Sequence, residues 1–280
     1  MKARLNRSLV WLLVVGCTGA PPAQDQSPRV RHILEDDRYE WIALEDEDVR
    51  VYYPVGSYAE TQRNVLLERA EEARATVLER LSGTEYQSLL HLFYVDSRED
   101  MANLTGNPVT GYSYFRDHAV VIVFNESWRA FERHELAHAI TLGTWETPAG
   151  PAVVEGLATY ADGECGGYEN GRIVRTILDG GALISLQSLT EDFRGQDDLI
   201  AYLQAASIIE FMVHRMGPDS LSHLWDQGLQ ASPALLGTSA LSFRAEFEDW
   251  LAAAYNPVPA TAWEAIRSDG CGIDARRGNQ

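Results

Sequence analysis

Apolar positions along this chain change period once, near its midpoint. Residues 39–44 and 49–54 carry aromatic and β-branched side chains in partial alternation on either side of an acidic stretch, 45–48, which predicts a β-hairpin. Residues 57–81 form a long amphipathic stretch rich in Glu, Ala and Arg, ended by Ser82 and Gly83, and predict a helix. Residues 89–95 predict a buried strand, a short helix follows Ser97, and 111–124 predict a second hairpin with Arg116 and Asp117 near its turn. The last strand of that hairpin is expected to run directly into a helix. From about Ala149 the strand signals nearly vanish, and helical segments are broken at Gly166 and Gly167, Gly180 and Gly181, Gly217 and Pro218, and near Pro257. The expected class is α+β, with a mixed α/β lobe around a small sheet followed by a mainly helical lobe. No internal repeat is visible.

At 280 residues with 45% hydrophobic and 10% aromatic content, the chain can bury one large core or two lobes around a cleft, and it is too apolar to be disordered. Its formal charge of -18 argues against nucleic acid and anionic lipid surfaces as partners. High negative charge is by itself a solubility feature, so it says little about substrate.

The first residues have their own pattern. Lys2, Arg4 and Arg7 precede an apolar run from Leu9 to Val15, too short to span a bilayer, and then Gly16 and Cys17. Such a stretch reads as a secretory signal. Val14, Val15, Gly16 and Cys17 resemble a bacterial lipobox, and the resemblance implies cleavage before Cys17, lipidation of its thiol and membrane attachment through it. Thr18 beside the cysteine points to the outer membrane of a Gram-negative envelope. An ordinary cleaved signal is the alternative, and both place the protein outside the cytoplasm. Residues 18–29, rich in Pro, Gln and Ser, are expected to be a flexible tether. The expected division is 1–16 signal, 17–36 lipidated cysteine and tether, 37–145 α/β lobe, 146–255 helical lobe and 256–280 tail. In an oxidising compartment Cys165 and Cys271 can pair or remain two free thiols.

The chemistry concentrates in two segments. Phe131 to Leu142 contains His134, Glu135 and His138 in the pattern HExxH, on a stretch with apolar residues at helical spacing. Four residues apart, the two histidines lie on one helix face and can share a tetrahedral Zn²⁺, while Glu135 can reach the water in the open position. Pro151 then opens a second helical segment with Glu155, Gly156, Leu157, Ala158, Thr159 and Tyr160. A reversal between the two helices would bring the Glu155 carboxylate to the metal.

HELAH followed by VEGLATY resembles the gluzincin metallopeptidases, most closely the bacterial peptidase MA-like domains. The resemblance implies a zincin-like fold with a cleft between the lobes, His134, His138 and Glu155 as zinc ligands, and Glu135 as general base. The stretch from Ala201 to Leu221 looks like the helix that follows in these peptidases, which makes Tyr202 the counterpart of a tyrosine that stabilises the oxyanion. Two departures stand out. Thr159 occupies a place where some gluzincins have an acidic residue orienting a histidine ligand, and Asp162 is the expected substitute. No acidic exopeptidase motif precedes HELAH, which favours endopeptidase over aminopeptidase action.

The hairpin strand preceding the motif helix can offer its edge to an extended peptide, although an ordinary sheet strand fits it equally. His32, His91, His118, His214 and His223 lack ligand spacing; His118 alone is near enough in sequence to be kept as a second oxyanion or substrate contact. The leading expectation is an exported zinc peptidase acting on peptide or protein. A zinc-containing envelope lipoprotein that binds peptides without cleaving them is the alternative, against which the intact Glu135 speaks. A purely structural metal would need a fourth protein ligand, and no Cys or His lies at suitable spacing.

Overall fold

The computed structural model describes residues 27–82 and 84–274. The expected leader and Cys17 lie outside these residues. Five strands form one sheet: β1 (Trp41–Glu45), β2 (Val49–Pro54), β3 (Leu90–Val95), β4 (Gly111–Tyr114) and β5 (Ala119–Val123). Their order is β1-β2-β3-β5-β4, with β2, β3 and β5 parallel and the two outer strands antiparallel to their neighbours. Both expected hairpins are therefore present. The strand that leads toward the motif helix, β5, is interior, and it is β4 that has a free edge.

Alternation in the central strands sends side chains into two cores. Val51 and Tyr53, Leu90, Leu92 and Tyr94, and Val120 and Ile122 join the larger core. Tyr52, Phe93, Val95, Ala119, Val121 and Val123 face the other side. That second face is covered by α1 (Pro28–Leu34), through Val30 and Ile33, and by α4 (Arg98–Thr105), through Met101 and Leu104. The tether expected over 17–36 is corrected for its described part, 27–36. Ser27 caps α1 through the Val30 amide, Pro28 suits its first turn, and Val30 and Ile33 are fully buried.

The expected helix over 57–81 bends at Gln62 into α2 (Tyr58–Thr61) and α3 (Arg63–Arg80). The Tyr58 amide is held by Asp96, so the first turn is pinned to the end of β3 before the chain turns. Helices dominate the rest: α5 (Glu132–Thr144), α6 (Pro151–Asp162), α7 (Asn170–Asp179), α8 (Leu186–Glu191), α9 (Asp198–Met216), α10 (Ser220–Gln227), α11 (Ser232–Leu235), α12 (Ala240–Ala254) and α13 (Ala260–Asp269). A two-residue pair, β6 (Glu164–Cys165) and β7 (Tyr168–Glu169), interrupts them.

The larger core is continuous from the sheet through α3, α5, α6 and α9 to Ala262 and Ile266 of α13. In the expected tail, residues 256–274 form a packed helix and a strap, fastened by a Cys165–Cys271 disulfide, one of the two states left open for these cysteines. The class is α+β, as expected.

Candidate metal centre

Helices α5 and α6 form an antiparallel hairpin. At its closed end the Trp225 indole donates to the Glu146 carbonyl at 2.6 Å, and the Ala149 amide donates to the Trp225 carbonyl at 2.8 Å. An eight-residue linker, 124–131, separates β5 from α5, so the strand does not run directly into the helix as expected. Glu132, in the first turn of α5 and buried, accepts from Arg69 of α3 through both carboxylate oxygens and from the Tyr94 hydroxyl of β3 at 3.2 Å. These bonds set the start of the motif helix against the sheet lobe.

His134, His138 and Glu155 converge. The two imidazole Nε2 atoms are 3.1 Å apart, and Glu155 Oε2 lies 3.5 Å from His134 Nε2 and 3.2 Å from His138 Nε2. Three ligands of a tetrahedral ion at about 2.0 to 2.1 Å sit about 3.3 Å from one another. The triangle therefore has the size of a metal's coordination face. Among the described residues it is the one group of three or more such side chains close enough to hold an ion. Two nitrogens and one carboxylate oxygen form a donor set suited to zinc and to other first-row divalent ions.

Burial opposes ionisation of Glu155, but hydrogen bonds from His134 and His138 outweigh it and hold the carboxyl below its usual range. Glu135 has the opposite environment. Burial pushes its carboxyl up to about 7; His138 opposes this, while Glu155 and Asp162 add to it. Its carboxylate lies against Gly111 at the start of β4, where a Cβ would come within 2.2 Å of Glu135 Oε1. Only glycine leaves room for it.

Tyr202, in the first turns of α9, stacks 6.3 Å from the His134 ring at 18° and also contacts Phe193. Burial raises its hydroxyl above the ordinary value and Glu155 adds to this, so the group stays a proton donor. Gly156, beside Glu155, brings α9 this close: a Cβ there would stand 2.8 Å from the Ala205 Cβ.

A hollow of about 510 Å³ opens beside these groups, lined by Gly111, Trp128, Phe131, Leu199 and Leu203 together with His134, Glu135 and Tyr202. Trp128 is a contributor that sequence reading missed, because it stands in the linker and belongs to neither periodic pattern. Gly270 and Cys271 also line the hollow, so the disulfide-bound strap is one of its walls.

Two expectations are corrected. Asp162 does not orient a histidine: its carboxylate is engaged by Arg129 and, at 3.3 Å, by Arg133. No acidic side chain replaces it at Thr159, whose hydroxyl is buried without a hydrogen-bond partner. His118 is not at this centre. Its Nδ1 is 2.6 Å from the Tyr86 hydroxyl, and it lines a separate hollow with Leu142, Gly143 and Trp145 at the far end of α5.

Against models of protein families and against curated proteins, the chain finds no match.

Proposed function

We propose that the protein is a zinc-dependent peptidase of the gluzincin kind, with a zincin-like fold and a substrate cleft between the sheet lobe and the helical lobe. The observation that carries this reading is the 3.1 to 3.5 Å triangle of His134, His138 and Glu155 with the buried carboxylate of Glu135 beside it. When bound, zinc supplies acidification of a water and polarisation of the substrate carbonyl.

The chain's own groups do the rest. Glu135, whose ionisation burial opposes and a neighbouring cation would favour, takes the proton of the attacking water and passes it to the departing amine. Tyr202 donates its hydroxyl proton into a hydrogen bond with the carbonyl oxygen as negative charge develops there. The free edge of β4, which begins at Gly111 against Glu135, pairs with an extended peptide, and Trp128 and Phe131 receive a side chain next to the scissile bond. No acidic exopeptidase motif precedes HELAH in the sequence, so the reading is an endopeptidase. The Cys165–Cys271 disulfide fits an exported protein, and lipidation at Cys17 would hold it in the bacterial envelope.

Metal removal tests the reading. The exported form is expected to carry about one zinc per chain and to lose peptide cleavage on chelation. Added zinc should restore cleavage to the wild type and not to Glu155→Ala or His138→Ala. A folded wild type without zinc, or cleavage that survives chelation, would contradict it.

A further inference from the structure

Four charged side chains close the open end of the α5–α6 hairpin. Arg129, just before α5, reaches Asp162 at the end of α6 and Glu164 of β6, the latter at 2.5 Å. Arg133 reaches the same two carboxylates at 3.3 Å each. Asp162 is 5% exposed, whereas the side chains of Arg129, Arg133 and Glu164 keep 17%, 29% and 36% of their surface, so one buried anion anchors a partly exposed network. Arg129 also donates its backbone amide to the Gly272 carbonyl at 2.7 Å, which adds the strap to the assembly.

The position of this network matters for the metal centre. His134 and His138 are fixed to each other by the turn of one helix, but their distances to Glu155 depend only on how α6 sits along α5. The facing surfaces there are apolar, with Ala137, Ile140, Val153 and Leu157 in the shared core. Apolar packing is non-directional and tolerates sliding. Directional contacts set register, and Arg133 is the residue before His134 while Asp162 is two helical turns beyond Glu155. With the closed end held by Trp225, the charged network fixes the other end.

The geometry points to Arg129, Arg133, Asp162 and Glu164 as a positioning clamp that sets the ligand triangle and thereby the metal affinity. The inference rests on the metal reading above. The clamp makes no contact with a ligand atom; it acts through the helix register.

The test uses the full exported chain and zinc alone, titrated against a chromophoric chelator, with the thermal unfolding of the metal-free form followed by circular dichroism. Arg133→Gln removes the partly exposed arm of the clamp. The double change Arg129→Met with Asp162→Leu removes the buried arm as a neutral pair, which avoids stranding a lone charge. Both variants should fold and bind zinc at least about tenfold more weakly than the wild type, in the range of losses seen for groups that orient ligands. Arg133→Lys should recover part of the loss. A merely structural network would lower the metal-free unfolding temperature and leave zinc affinity within about twofold, and that result overturns the clamp. A wild type that binds no zinc overturns the metal reading and the clamp together, so the two failures are distinguishable.

Discussion

Gly111 is the residue on which the proposed base leans. A Cβ there would meet the Glu135 carboxylate at 2.2 Å, so Gly111→Ala must displace that side chain or the edge strand. Peptide cleavage is expected to fall on the order of a hundredfold, because an error of about 1 Å in a catalytic group costs that much. Zinc content should be unchanged, and kcat/KM with elemental analysis of the same samples checks both. His91 gives a prediction unrelated to the site. Buried in β3 with its Nδ1 3.0 Å from the Tyr52 hydroxyl, it is depressed to about 4, mainly by burial and further by Arg50 and His118. The unfolded chain takes up its proton near pH 6.5 and the folded chain only near 4, so stability is full above 6.5 and falls as pH drops toward 4. From pH 7.5 to 5 the loss from this residue is about 2 kcal/mol. Urea unfolding of the wild type and His91→Gln at both pH values should show the slope shrinking by that amount in the variant.

At the scale of elements, the approach of α9 to α6 depends on Gly156. Placing a methyl group 2.8 Å from the Ala205 Cβ forces the helices apart, so Gly156→Ala is expected to cost about 1 to 3 kcal/mol of stability. It should also move Tyr202 from the ligand cluster, lowering kcat more than it raises KM. Thermal unfolding and steady-state kinetics separate the two effects. The elements themselves were largely legible. Alternation gave the strands of both hairpins, and helical period put His134 and His138 on one face, whereas Glu155, on the next helix, was brought to them only by the resemblance and an assumed reversal of the chain. What escaped was chemistry without a period. Trp128 and Arg129 lie in an irregular linker, α1 is a short helix recognisable only from Ser27 and Pro28, and the partners of Asp162 are set by tertiary packing. Asp162 shares a face with Glu155, which suggested the right neighbourhood and the wrong partner.

For the whole molecule, the larger core joins one face of the sheet to the helical half, and the strap at its end is closed by a single covalent link. The Cys165–Cys271 bond spans 106 residues of sequence. By loop-closure entropy a link of that length contributes about 4 to 5 kcal/mol. Cys165→Ser with Cys271→Ser should lower the denaturation midpoint accordingly, and since Cys271 borders the hollow, it should also raise KM for peptides. Peptide hydrolysis at this centre requires Glu135 to be a base rather than a passive neighbour of the proposed metal. Wild type and Glu135→Gln, each loaded with zinc, should therefore be compared on a mixed peptide library read by mass spectrometry. Cleavage by the wild type, with a loss on the order of a thousandfold or more in the variant at equal zinc content, is the predicted result. Equal cleavage by both, or none by a zinc-loaded wild type, would contradict it.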